Sequence, residues 1–166
     1  MNERSGPIKP QVLEALCARV RDDLEAVRRS QQATQDGATH SEARAEHAKD
    51  TRATESSYLA RGLAERVEAL EAQLALLVGL SADAHPESAP ISVGALITLE
   101  DDDGVEAHYL LAPAGGGVRL TLGDAVVQTI TATSPLGRAL VDRFEGDEIE
   151  LERPRGRLTA SVVRVA

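Results

Sequence analysis

Two narrow apolar stripes at helical spacing, separated by a long polar stretch, constrain this chain more than any other feature. Val12/Leu13, Leu16, Val20, Leu24 and Val27 step by three or four residues, and so do Leu59, Leu63, Val67, Leu70, Leu74 and Leu77. A stripe this narrow is a coiled-coil seam rather than the broad face of a globular helix. Two of them in one chain predict an antiparallel hairpin, because each seam can be covered by the other. Facing residues in such a pair have a constant sum: Leu13 with Leu77, Leu16 with Leu74, Val20 with Leu70 and Val27 with Leu63 all give 90. The midpoint is then residue 45, and the reversal is expected within 36–48, where Asp36-Gly37 offers turn chemistry. Pro10 suits the start of the first helix. Arms of about 25–30 residues give a projection of about 40 Å.

From Ser30 to Thr54 the chain contains no Leu, Ile, Val or Phe. An apolar seam cannot hold that segment. It is either a frayed, solvated end or a polar tip meant for a polar site in another molecule. The composition changes near residue 80. Residues 1–80 are rich in Ala, Glu, Arg, Leu and Gln, which favour helix. Residues 81–90 contain two prolines among polar residues and read as a linker. Residues 91–166 are rich in Val, Ile, Leu, Thr and Gly, which read as short strands and turns. The expected strands are 91–99, 105–112, 126–131, 148–152 and 158–165, with a short helix over 135–141 capped by Ser134. The fold class is therefore α+β: a hairpin over 1–80, a linker over 81–90, and over 91–166 a small antiparallel β domain with one short helix.

Composition excludes several functions. The net charge is −9, with 13 acidic and 11 basic residues in 1–80 and 14 and 7 in 81–166. Bulk positive charge therefore does not bind this chain to nucleic acid. The lone Cys17 rules out an internal disulfide and a cysteine-rich zinc site, and it reads as a small buried apolar residue. No apolar run is long enough to span a bilayer, and no secretory leader is visible, so a cytoplasmic protein is expected. His40, His47, His85 and His108 are too dispersed for a metal set. No nucleophile triad, phosphate loop or dinucleotide fingerprint is present. Two short stripes that pair internally predict a monomer.

The acidic residues between the stripes are the candidates for chemistry. Glu42, Glu46 and Asp50 are spaced i, i+4 and i+8. On one helix they share a face; across a reversal, Glu42 and Glu46 crowd the tip. Two carboxylates can hold magnesium through one or two oxygens and waters, but a full site needs ligands from a partner. Interspersed Arg44, Lys49 and Arg52 also fit an ordinary solvated helix face. With Arg28 and Arg29 they form a set able to contact phosphates.

Three features resemble the Gre family of bacterial transcription elongation factors. The first is the order of hairpin and β domain. The second is Arg66-Val-Glu-Ala-Leu-Glu-Ala-Gln-Leu74, similar to the family's Arg-Ile-x-x-Leu-Glu-x-x-Leu. The third and most specific is Thr133-Ser-Pro-Leu-Gly-Arg-Ala-Leu140 followed by Gly146-Asp-Glu-Ile-Glu150, similar to the family's Ser-Pro-(Ile/Leu)-(Gly/Ala)-x-Ala-Leu and Gly-Asp. The resemblance covers about residues 10–166. It implies an FKBP-like C-terminal domain that docks on RNA polymerase, with Ser134, Pro135, Leu136 and Gly137 as docking residues. It implies a coiled coil in the polymerase secondary channel, where tip carboxylates, here Glu42 and Glu46, share the polymerase's magnesium while it cleaves backtracked RNA. Arg44, Lys49, Asp50 and Arg52 would contact the RNA 3′ end or the channel wall. The factor would be no enzyme itself and would have no cofactor of its own.

The family tip reads Gly-Asp-Leu-Ser-Glu-Asn. Ser41-Glu42 matches Ser-Glu, and Thr39 stands at the Asp position. Counting back from the Arg66 run instead puts Glu46 at the Asp position and Lys49 at the Glu position. Either Glu42 and Glu46 replace the acidic pair or the tip does not support cleavage, which leaves a non-cleaving secondary-channel regulator. A plain coiled-coil adaptor is the third reading. Prolyl isomerisation is rejected, because 91–166 offers only Tyr109 and Phe144 as aromatic pocket walls.

Overall fold

A computed structural model describes residues 6–42, 49–86, 88–153 and 156–166, with the backbone alone at 38–42, 49–53, 153 and 158. By compactness the chain divides into two units, one of Met1–Leu16 with Leu76–Ala166 and one of Cys17–Ala75. The break in composition near residue 80 is thus not the break in packing. The first turns of one helix and the last of the other belong with the β domain. Residues 81–90 are tied into that unit too: the Lys9 ammonium donates to the Asp83 carbonyl at 2.9 Å, and the His85 Nε2 lies 3.1 Å from the Pro90 carbonyl.

The two long helices are α1 (Lys9–Glu42) and α2 (Lys49–Val78), 34 and 30 residues long. Good helix formers explain both, and Pro10 suits the start of α1. The apolar stripe of α1 is buried as expected, with Val12, Leu16, Val20 and Leu24 all inaccessible or nearly so. On α2, Leu70 and Leu77 are buried and Leu63, Val67 and Leu74 half-buried. Leu59 departs from the expected seam and is 55% exposed, while Ala60 is half-buried in its place. The reason is angular. Leu59, Leu63 and Val67 are two successive steps of four, which on a straight helix carry Leu59 about 80° off the seam. Helix α1 also runs through Asp36-Gly37, so those residues are not the turn; the rest of the expected reversal, 43–48, lies outside the described residues.

Arg28 of α1 pairs with Glu71 of α2 at 2.5 Å. A facing sum of 90 would set these two about 13 Å apart along the axis. Helical side chains lean toward their own N-terminus. Arg28 therefore leans toward the root and Glu71 toward the tip, and the two meet obliquely.

The β domain is one six-stranded sheet in the order β3-β4-β2-β1-β6-β5. The strands are β1 (Leu96–Asp101), β2 (Glu106–Leu111), β3 (Arg119–Leu122), β4 (Ala125–Ile130), β5 (Glu148–Arg153) and β6 (Gly156–Val165). A single short helix, α3 (Pro135–Leu140), lies between β4 and β5 in sequence. Two expectations fail here. The sheet is not wholly antiparallel, because β2 and β4 pair in parallel from His108↔Val127 to Leu111↔Ile130. The cause is β3, a strand of only four residues after Gly115–Gly117, which the sequence reading omits. It forms a tight hairpin with β4 through Gly123 at φ +60, and that extra reversal turns β4 to run with β2. The first strand also starts at Leu96 rather than Ile91. Gly94, at φ +97, breaks the extended run.

Ile91 still serves the core. It is fully buried, its N–H donates to the Arg143 carbonyl at 2.7 Å and its own carbonyl accepts from the Asp142 N–H. The core on this side of the sheet gathers Ile91, Ile97, Leu99, Leu111, Ile130, Ile149 and Val162 against Leu136 and Leu140 of α3.

Candidate functional site

The start of α3 is held by several local constraints at once. Ser134 is its N-cap, extended at φ −68 and ψ 156, with Pro135 supplying the first helical φ. The Ser134 hydroxyl donates to the Thr131 carbonyl at 2.7 Å and accepts from the Gly137 N–H at 3.0 Å. Both ends of that hydroxyl are used within the fold. Gly137 is required sterically: a Cβ there would lie 1.9 Å from the Thr131 oxygen and 2.8 Å from its carbonyl carbon. No real side chain tolerates such an approach. The Arg138 guanidinium closes the arrangement by donating to the Thr133 carbonyl.

The expected docking set divides by exposure. Leu136 and Gly137 are buried, and Leu136 belongs to the core cluster. Pro135 is exposed and Ser134 half-exposed, and the exposed Thr133 and Arg138 flank them. The sequence reading missed Thr133 and Arg138 as surface residues because the motif reads as one block, whereas helical geometry turns alternate members of it inward. It also missed the Thr131 carbonyl, which receives both Ser134 hydrogen bonds and lies against Gly137. No side-chain signal marks a backbone acceptor.

The expected tip residues fall at the ends of the two helices. Glu42 is the last residue of α1, and Lys49, Asp50 and Arg52 lie in the opening turns of α2. Glu42 and Asp50 thus lie on α1 and α2. Arg44 and Glu46 lie outside the described residues. Among the described residues no group of three or more His, Cys, Asp or Glu side chains is gathered as a metal would require. No described helix is long and apolar enough to cross a membrane.

One titratable group on the sheet is perturbed. The His108 Nδ1 lies 3.1 Å from the Thr98 hydroxyl on the neighbouring strand. Burial holds the imidazole below its ordinary value of 6.5, Glu106 opposes this and Arg164 adds to it. Lys9, buried at the root of α1, is likewise lowered by burial, with Asp83 opposing.

Residues 86–166 match the model of the transcription elongation factor GreA/GreB C-terminal domain. They contain the Ser134–Gly137 helix start and its Thr131 support. The C-terminal domain belongs to the GreA/GreB family. The chain is 35% identical over 109 residues to the transcription elongation factor GreA of Desulfovibrio desulfuricans, covering 64% of this chain and 62% of that one. It is 37% identical over 78 residues to the GreA of Nitratidesulfovibrio vulgaris, covering 46% and 44%. It thus spans about three-fifths of the first relative's length and under half of the second's. A solved structure of the transcription factor Gfh1 is similar at 24% identity over 91% of this chain and 93% of that one, with a TM-score of 0.40. The order of two long helices followed by the Gre domain is the fold class expected from the sequence.

Proposed function

We propose that this chain is a transcription elongation factor that docks on RNA polymerase through its Gre domain and carries its hairpin tip into the secondary channel. There it stimulates the polymerase's own cleavage of backtracked RNA. The observation that supports this best is the GreA/GreB match over 86–166, joined to a helix start whose geometry is locked by Gly137 and Ser134. Docking is made by the exposed Thr133, Pro135 and Arg138, while Leu136 and Gly137 hold that surface from beneath.

At the other end, Glu42 and Glu46 act as tip carboxylates. Magnesium, shared with the polymerase, supplies the Lewis acidity for hydrolysis of the RNA phosphodiester. The two carboxylates add oxygen ligands and accept hydrogen bonds from the attacking water. Arg44, Lys49 and Arg52 bring positive charge to the RNA phosphates or the channel wall, and Asp50 lies among them. The factor works as a monomer in the cytoplasm, lends ligands and has no active site of its own.

One observation favours a second reading. In the alignment that sets Ser41-Glu42 on the family's Ser-Glu, Thr39 stands where the family tip carries Asp, and a tip short of one carboxylate would enter the channel and slow synthesis without cleavage. The deciding experiment adds the protein and magnesium to a stalled, backtracked polymerase and follows labelled RNA on a gel. Shortened RNA that can be re-extended supports the cleavage factor. Bound protein with slowed synthesis and no shortening supports the non-cleaving regulator. Absence of binding refutes both.

A further inference from the structure

The helices of the hairpin carry one glycine each in their described interior, Gly37 in α1 and Gly62 in α2. Among the described residues, a Cβ built on either would meet nothing within 4 Å, and neither has a positive φ. Both are exposed. Compared with alanine, each weakens the local helix–coil equilibrium by about fivefold. Elsewhere in the chain, glycines that cost as much answer to a requirement: Gly137 to the Thr131 carbonyl, Gly94 and Gly123 to a positive φ.

A second observation points the same way. Between the last apolar seam residue of α1, Val27, and Gly37, the Ser30 hydroxyl donates to the Ala26 carbonyl at 3.1 Å and the Thr34 hydroxyl to the Ser30 carbonyl at 2.9 Å. Such back-bonding loosens and bends helices. On α2, Gly62 adjoins Leu63, the last half-buried leucine before the arm becomes polar, and from 54 to 62 only Ala60 is half-buried. The loosening features therefore begin where the seam ends, on both arms.

From this placement we infer that the hairpin is a two-part lever: a packed root and, in the described helix beyond Val27 and Leu63, compliant stretches that bend at Gly37 and Gly62. The inference rests on the reading of the preceding subsection, in which the tip enters an enclosed site. Compliance lets the arm adjust to the walls of that site while the docked domain stays fixed.

The test uses the full chain with Gly37→Ala, Gly62→Ala and both together, and separately Ser30→Ala with Thr34→Ala. Hydrogen exchange of the free protein should slow about fivefold per glycine replaced in the arm beyond Val27 and Leu63, with the β domain unmoved. Polymerase affinity should stay within about twofold. The effect on transcription at saturating protein, whether cleavage or slowing, should fall at least threefold in the double glycine variant and move the same way in the Ser30/Thr34 variant. Slowed exchange with an unchanged transcriptional effect overturns the inference, and so does unchanged exchange. A wild-type protein that never engages polymerase overturns the underlying reading instead, and the exchange data on the free chain keep the two failures distinct.

Discussion

The α3 start and the distal hairpin are built in opposite ways. At the α3 start every constraint is steric or hydrogen-bonded. One glycine is dictated by a carbonyl 1.9 Å from where a Cβ would sit, and one hydroxyl is engaged at both ends. In the distal arm the constraints are fewer: no large aliphatic residue from Ser30 to Thr54, and two helix glycines, Gly37 and Gly62, where a Cβ would meet no described atom within 4 Å. A docking surface must keep its shape, whereas a tip that works inside another molecule needs reach and polarity more than internal order. The same residue type, glycine, therefore has opposite meanings in the two regions.

The largest effect that can break this comparison is Gly137→Ala. It should destabilise the β domain by about 3 kcal/mol or more, because backbone rather than a flexible side chain must move. Denaturant unfolding followed on the β domain reads it, and a loss under 1 kcal/mol would mean that the turn is not locked. Leu140→Ala, at a fully buried position against the core, should cost about 3 kcal/mol by the same measurement. Ser134→Ala should cost about 1 kcal/mol, since one cap is lost and the Gly137 N–H is left without its acceptor.

On the hairpin the sign reverses: Gly37→Ala should stabilise helix α1, by a little under 1 kcal/mol, as increased helicity by circular dichroism. The smallest effect sharpens the comparison for the sheet. His108 is held neutral by burial, so as pH falls through its ordinary 6.5 the unfolded chain takes up the proton first. Stability present above pH 6.5 is therefore lost on acidification toward the lowered folded value. His108→Gln should flatten that slope between pH 7 and 5. Equal slopes in the two proteins would mean that His108 is solvated like a free imidazole.

Much of the fold was legible because it rests on periodicity. The α1 stripe from Val12 to Val27 and the Ser134-Pro135 cap are local signals, and local signals survive into the structure. Leu59 misled because a spacing of four looks like a seam step until two such steps are added and the angle drifts. Strand β3 was invisible because four residues between glycine turns carry no pattern, and missing it inverted the direction inferred for β4. The division of roles within Thr133–Gly137 was not legible, since which side chain faces the core depends on what packs beneath the helix. The Thr131 carbonyl leaves no trace in sequence at all. At the tip, carboxylate spacing alone left two geometries open, because the same spacing fits one helical face or the two sides of a reversal.

The measurement that bears most directly on this division of labour is a paired assay of Glu42→Gln with Glu46→Gln. Polymerase affinity and transcript cleavage are read on the same protein, beside wild type. If docking belongs to the Gre domain and chemistry to the tip, affinity stays within about twofold and cleavage falls by two orders of magnitude or more, the scale on which a metal-assisted hydrolysis depends on its ligands. Cleavage that persists at the wild-type rate, or affinity that collapses along with it, would contradict the account.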